Sequence, residues 1–346
     1  MKRTISLILA LLLSMGMLAS CSEEASPAPS ATPEIAITVG NQQVSANDYY
    51  RYMYSTRYSL LGSNTDELAF WESEKEKGVT YSDAATEEVQ QRWIDLKLFA
   101  EEFDRLKLSF SAEEESAFNA ALEQEINASG GMSNFRAQLT ANHFTYEEYK
   151  TSLYDAMKKD RVLLHYFGEG GEKAVPMEEL KAYYNENNAR IKMILLSKVD
   201  SYYNEPLEES EIKTKRETME DAYAAAQRKT DPTYFDELIS IYSEDATTRG
   251  KGAIYSKGDE SEMAKKAFAL EIGEITTFEN EVGFYVIQRF DGTTEDVFTE
   301  KTVLQVIEVY CAEQIDALLS EWRAAAKITV DEAVVELYRP ENLIGQ

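Results

Sequence analysis

The sequence predicts an α+β protein: a mostly helical module assembled from N- and C-terminal segments, with a small α/β domain inserted between them. Three observations carry this. Apolar residues recur at helical spacing through most of 45–167, the pattern turns mixed at Ile191, and Phe298 to Lys327 restores one long helical stripe. That last stripe needs an apolar partner larger than a small α/β domain supplies alone. The 346 residues are 44% hydrophobic and 11% aromatic, enough for two or three buried cores. With 62 Asp+Glu against 35 Lys+Arg the net charge is −27, which argues against a nucleic-acid partner. Two cysteines, Cys21 and Cys311, make no disulfide framework. Two histidines, His143 and His165, lie 22 positions apart without ligand spacing, so neither a metal site nor a cofactor is expected.

The first 21 residues, MKRTISLILALLLSMGMLASC, join a basic start to an apolar run from Ile5 to Leu18 and a small-residue exit, which reads as a secretory signal. The run is too short for a good spanning helix, which needs roughly 20 apolar residues. Leu18-Ala19-Ser20-Cys21 resembles the bacterial lipobox, in which cleavage leaves the cysteine first and acylated. Residues 22–34, SEEASPAPSATPE, have no apolar period and read as a flexible tether. The chain is therefore expected outside the cytoplasm, held to the bacterial cell membrane through lipid on Cys21.

Residues 35–189 read as the helical N-terminal domain. Ile35 to Val44 suggests two short strands around Gly40-Asn41, and Ser45 to Asp48 a helix start. The helix that follows carries Tyr49, Tyr50, Tyr52, Met53, Tyr54 and Tyr58, either a peptide-binding platform or a core-facing stripe. Further helices are expected over Glu87 to Leu106, Ala112 to Ala128, Asn134 to Leu139, Tyr146 to Phe167, and from Val175-Pro176 to about Asn188. Residues 190–292 then mix a buried-strand candidate at Ile191 to Leu196 with a charged helix over Glu208 to Lys229. A helix capped by Asp231-Pro232 and short strands at Ala253 to Tyr255 and Phe284 to Phe290 complete that span. Residues 293–346 supply the C-terminal helix and tail, with Cys311 on the apolar stripe as a small buried hydrophobe.

Within 190–292, Phe235-Asp236-Glu237-Leu238 with Tyr242-Ser243-Glu244-Asp245, the Gly-rich Arg249 to Gly258, Ala267-Phe268-Ala269-Leu270 with Ile272-Gly273-Glu274-Ile275, and Gly283-Phe284-Tyr285-Val286-Ile287 occur in order. Together they resemble the parvulin peptidyl-prolyl isomerases. With the lipobox, the helical flanks and the Val175 to Asn185 lead-in, the chain resembles PrsA/SurA-type extracytoplasmic foldases. The resemblance implies a chaperone unit formed by the flanking helices, and partners that are unfolded or proline-containing exported polypeptides.

The departures bear on activity. The family carries histidine where this chain has Met193, and again in the last strand, where this chain has Tyr285. Asp245 occupies the position that holds Cys or Asp in the family, and Met263 and Phe268 fall where the family has apolar pocket residues. If the domain binds proline peptides, the ring is expected among Met193, Tyr255, Met263, Phe268 and Tyr285 with Asp245 at the rim, the alternative being that these are core positions of a small sheet. Prolyl isomerisation requires twisting an amide over a barrier of roughly 18–20 kcal/mol and needs no nucleophile. Catalysis must come from an apolar hold on the ring and polar groups that favour the twisted amide. Met193 cannot join a hydrogen-bond network, whereas Tyr285 brings one hydroxyl and Asp245 one carboxylate. The expected function is a membrane-anchored foldase or chaperone whose parvulin-like domain has weak or lost isomerase activity. The alternative is an active isomerase using Asp245 and Tyr285. A solute-binding lipoprotein would share the signal, but should show α/β periodicity throughout.

Overall fold

The computed structural model describes residues 34–200, 205–229 and 231–345. Cys21, the signal and the tether up to Pro33 lie outside the described residues. The architecture is α+β, and the chain divides into two compact units: residues up to Ala174 together with Cys311 onward, and Val175–Tyr310. The span 190–292 lies within the second of these.

The first unit opens with β1 (Ile35–Val39) and β2 (Gln42–Ser45), antiparallel around Gly40. Ser45 caps α1 (Ala46–Leu61), its hydroxyl accepting the Asp48 N–H at 3.0 Å. The tyrosines of α1 divide by face: Tyr49 and Met53 are fully buried, while Tyr58 is half exposed and meets Tyr54 edge-to-face at 4.9 Å. After α2 (Glu67–Glu72), β3 (Glu74–Glu76) and β4 (Val79–Thr80), the long α3 (Tyr81–Arg105) begins six residues before the expected Glu87. The reason is a reciprocal capping box between Thr80 and Asp83, which satisfies two free donors at the helix start. Helices α4 (Ala112–Ala128), α5 (Met132–Ala141) and α6 (Tyr146–Phe167) close a core of Phe118, Leu122, Phe135, Leu139, Leu153 and Met157. A buried pair, Lys97 Nζ to Asp155 at 2.6 Å, joins α3 to α6.

The second unit runs α7 (Met177–Asn187), β5 (Asn188–Ser197), α8 (Glu209–Ala226), α9 (Pro232–Tyr242), β6 (Ala253–Ser256), α10 (Glu262–Ala269), β7 (Ile275–Glu279), β8 (Gly283–Phe290) and α11 (Glu300–Tyr310). Its four strands form one antiparallel sheet in the order β6-β5-β8-β7, with β5 and β8 paired over eight residues at its centre. Helix α7 packs on α11, where Tyr183 meets Tyr310 edge-on at 5.2 Å.

The chain then returns to the first unit through α12 (Ala312–Ala325), β9 (Ile328–Val330) and α13 (Glu332–Leu337). The single helix expected over Phe298 to Lys327 is thus two helices. Cys311, at φ −100° and ψ 16°, breaks the ladder without glycine or proline, while its carbonyl still accepts the Ile315 N–H. The apolar period runs on through the break, so periodicity alone could not locate it. Cys311 itself is fully buried, and burial pushes its thiol pKa up. Trp322 of α12 packs edge-on against Phe99 of α3, and Arg323 pairs with Asp95 at 2.6 Å. Strand β9 extends the first sheet by pairing with β1.

Candidate functional site

The site grows from the alternation of β5. Successive strand residues point to opposite faces, so Ala189, Ile191, Met193 and Leu195 share one face of the sheet, and Arg190, Lys192, Ile194 and Leu196 the other. The second face is closed. Helices α8 and α9 cover it with Ala222, Ala226, Phe235, Leu238 and Ile239, packed on Ile194, Val286 and Phe290, all buried. Lys192 is also sealed there, its ammonium paired with Asp236 at 2.8 Å and donating to the Pro232 carbonyl at 3.1 Å.

The first face carries the eight-residue α10 and a layer of partly exposed apolar groups. Ile191, Ala267, Leu270, Phe278 and Ile287 are buried, whereas Met193, Leu195, Tyr255, Met263 and Phe268 are only partly so. The ladder places Met193 opposite Ile287 and Tyr285 opposite Leu195. Met193 and Tyr285 are therefore diagonal neighbours on one face, a separation that long side chains span. Tyr255 enters from β6 opposite Ala189, and Met263 and Phe268 come from α10. All five residues at the expected ring position, Met193, Tyr255, Met263, Phe268 and Tyr285, fall in this one cluster.

Tyr285 is its polar point. The ring stacks flat on Phe278, with centroids 4.5 Å apart and planes 3° from parallel. Burial raises the hydroxyl pKa, the negative charges of Glu262 and Asp245 and the Tyr255 hydroxyl push the same way, and a hydrogen bond from the Asn280 side chain opposes them. The phenol therefore keeps its proton at neutral pH and can donate one hydrogen bond. Burial likewise raises the pKa of Tyr255, helped by the Asp259 charge.

Asp245 lies on the loop after α9. Its carboxylate accepts from the Thr247 N–H at 2.8 Å and the Thr247 hydroxyl at 3.0 Å, so it is held by its own turn and acts on Tyr285 through its charge. The loop is fixed against β5 by side chains. Strand β6 pairs only with residues 188–191 of β5, and beyond them three N–H groups donate to side-chain oxygens in place of a strand: Met193 to Thr248 Oγ1 at 2.9 Å, Leu195 to Ser243 Oγ at 3.0 Å and Ser197 to Glu244 Oε2 at 2.7 Å. Gly252 completes the approach at φ +79°, where a Cβ would stand 2.6 Å from the Ile191 carbonyl.

Four residues of the site were not singled out from the sequence. Leu195 follows Met193 by one strand period and was legible in that spacing. Phe278 sits on β7, whose ITTFE is rich in strand-favouring Ile, Thr and Phe and was legible as a short strand. Asn280 and Glu262 gave no signal, because their role depends on the β7–β8 turn and the start of α10 converging. Among the described residues, no group of His, Cys, Asp or Glu is arranged to hold a metal ion, and no helix is long and apolar enough to cross a membrane.

Residues 150–293 match the family model of the PPIC-type PPIASE domain, a span that contains the whole four-stranded sheet and α8–α10. No curated protein matches the chain. Among solved structures, the chain is similar to the foldase protein PrsA from Streptococcus pneumoniae str. Canada MDR_19A, at 15% identity over 87% of this chain and 97% of that one, with a TM-score of 0.36. It is similar to PrsA from Bacillus subtilis at 14% identity over 88% and 98%, with a TM-score of 0.32. A structure from the work on PEB4 and Cj1289, two SurA-like chaperones of Campylobacter jejuni, shares 12% identity over 86% and 98%, with a TM-score of 0.29.

Proposed function

We propose that the chain is an extracytoplasmic foldase, lipid-anchored at Cys21, that binds unfolded or proline-containing exported polypeptides. Its PPIC-type domain serves mainly as a proline-segment binder with weak or lost isomerase activity. One observation carries the reading: inside the span matching the PPIC-type model, the five residues placed at the ring position lie together on the half-open face of the sheet. A proline ring is a compact apolar body, and partly exposed Met, Leu, Tyr and Phe side chains offer it surface without requiring a core to open. Met193 adapts its shape to the ring but contributes no hydrogen bond. Tyr285 supplies one donor, which can favour the twisted amide by a single bond where the family pattern provides a histidine network.

The second reading, an active isomerase, is favoured by one feature: the Asp245 charge reaches the Tyr285 hydroxyl. A protease-coupled proline isomerisation assay on the soluble chain, run beside a client-aggregation assay, separates the two. Suppressed aggregation with turnover near the uncatalysed rate supports the binding reading. Robust turnover that collapses in Asp245→Ala supports the enzyme. The anchor is tested separately: Cys21→Ser should release the protein from membranes and remove a lipid adduct visible by mass spectrometry on the wild type. Wild type without lipid, and membrane attachment unchanged in Cys21→Ser, would refute it.

A further inference from the structure

We infer that the chain's own proline-bearing segment, Pro27-Ala28-Pro29-Ser30-Ala31-Thr32-Pro33, docks on an aromatic ridge of the first unit made by Tyr50, Tyr54, Tyr58, His143 and Tyr338. The inference concerns the first unit alone and does not depend on the proline-binding reading of the second.

The ridge follows from helix spacing. Tyr50, Tyr54 and Tyr58 recur every fourth residue of α1, so their rings stand one above another, with successive centroids 6.0 and 4.9 Å apart. Tyr338, just after α13, closes on Tyr50 at 5.4 Å. His143, between α5 and α6, reaches Tyr50 at 5.0 Å and Tyr54 at 5.6 Å. Its backbone is left-handed, at φ +59°, and its carbonyl accepts from Asn47 Nδ2 at 3.1 Å, so the imidazole is placed at a conformational cost. Tyr49 and Met53 of the same helix are fully buried, so the core takes a different stripe of α1. On the ridge Tyr58 is half exposed, and the other four rings are only partly buried. The Tyr54 hydroxyl donates to that of Tyr58 at 3.2 Å, which leaves the Tyr58 proton for a guest carbonyl.

The point where the chain enters the first unit decides the occupant. The Glu34 carbonyl accepts the Ala46 N–H at 2.6 Å, at the start of α1 and one turn before Tyr50. Beside it, the Ala36 carbonyl accepts the Asp331 N–H at 2.9 Å, and Asp331 opens the helix that ends at Tyr338. Pro33 immediately precedes Glu34, so the proline-bearing segment is joined at the foot of the ridge. Its three prolines favour the polyproline conformation, which aromatic-lined grooves recognise. At about 3.1 Å per residue, Pro27 to Pro33 spans about 19 Å, and the rise from Ala46 to Tyr58 at about 1.5 Å per residue is about 18 Å. A short connection also holds its ligand at an effective concentration on the order of 1 mM, so a site too weak for a free peptide is filled by its own segment.

The test uses the full mature chain carrying Cys21→Ser and Ser26→Cys, spin-labelled at position 26; Cys311 is fully buried and escapes labelling. The paramagnetic resonance line shape then reads nanosecond mobility at the Tyr58 end of the segment. The expected label is slowed severalfold in this chain and freed both by Tyr58→Ala and by Pro27→Gly, Pro29→Gly and Pro33→Gly together. Tyr58 is half exposed and the prolines precede the folded units, so both variants should keep the fold, checked by circular dichroism. A fluorescent peptide of residues 22–33 should bind the triple-glycine chain severalfold more tightly than the chain with its prolines intact. Equal mobility in all three chains overturns the inference. Release by Met193→Ala but not by Tyr58→Ala also overturns it, and makes the segment a guest of the parvulin-like face. A mobile label, with Tyr58 protected from iodination only when unfolded client is added, gives the ridge to a client and overturns it as well.

Discussion

The two faces of the second unit's sheet share strands, register and backbone, and differ in what covers them. One lies under α8 and α9, of 18 and 11 residues, which bury Ile194, Val286 and Phe290; the partly exposed members of its cluster are Met219, Tyr223, Tyr234 and Tyr242 on the helices themselves and Ile275 on the edge strand β7. The other lies under α10, of 8 residues, and leaves Met193, Leu195, Tyr255, Met263 and Phe268 partly open. The difference teaches where function can reside. A face that is fully packed has its apolar surface committed to stability, whereas a face capped by two turns of helix keeps apolar surface available for another chain.

The largest effects should come from the closed face. Phe235→Ala removes a fully buried ring that packs against Phe290, and should cost about 3–5 kcal/mol in chemical denaturation. Asp236→Ala should cost a similar amount, about 3–5 kcal/mol, because it strands the buried Lys192 ammonium. Lys192→Met should be neutral or stabilising, since the unbranched apolar chain keeps the volume and removes the charge. If Lys192→Met proves as damaging as Asp236→Ala, the buried pair is a net stabiliser and the closed face is less oil-like than described.

On the open face the balance should reverse. Met193→Ala should cost only about 1–2 kcal/mol, reflecting partial burial, yet abolish most proline-peptide binding by anisotropy. Histidine at both Met193 and Tyr285 should raise isomerase turnover while leaving suppression of client aggregation largely unchanged. A double variant with no gain in turnover would show that more than these two positions separates the site from catalysis.

The smallest effect concerns pH. The raised pKa of Tyr285 keeps the phenol protonated through the ordinary tyrosine range near 10, so peptide affinity should stay flat from pH 7 to about 9.5. The sign for stability follows: a folded-state pKa above the unfolded value gives a contribution fully present below pH ~10 that declines as the pH rises further. An affinity falling with a midpoint near pH 8 would contradict the buried hydroxyl.

Much of this was legible in the sequence where local rules act alone. Ser111 with Glu114 and Thr145 with Glu148 form reciprocal capping boxes, and the helices they open run as their periodicity indicates. The grouping of Met193, Tyr255, Met263, Phe268 and Tyr285 came through the resemblance, on positions spread over 93 residues. What stayed hidden depends on tertiary context. Lys192 in an otherwise apolar strand gives no hint of burial, because its partner Asp236 is 44 residues away. The break at Cys311 leaves the apolar stripe intact, so periodicity does not reveal it.

The side chains of Ser243, Glu244 and Thr248, which occupy the N–H groups of Leu195, Ser197 and Met193, carry a consequence for how a guest chain can be read. An exposed strand border is a template that any extended polypeptide can copy, indifferent to its sequence and prone to runaway stacking. Here that border is already spoken for along the strand half nearest Tyr285. A guest in the ring position must then be recognised through its side chains, and release requires no peeling of a backbone ladder. That half of β5 thus offers an incoming chain no free row of N–H groups to pair with.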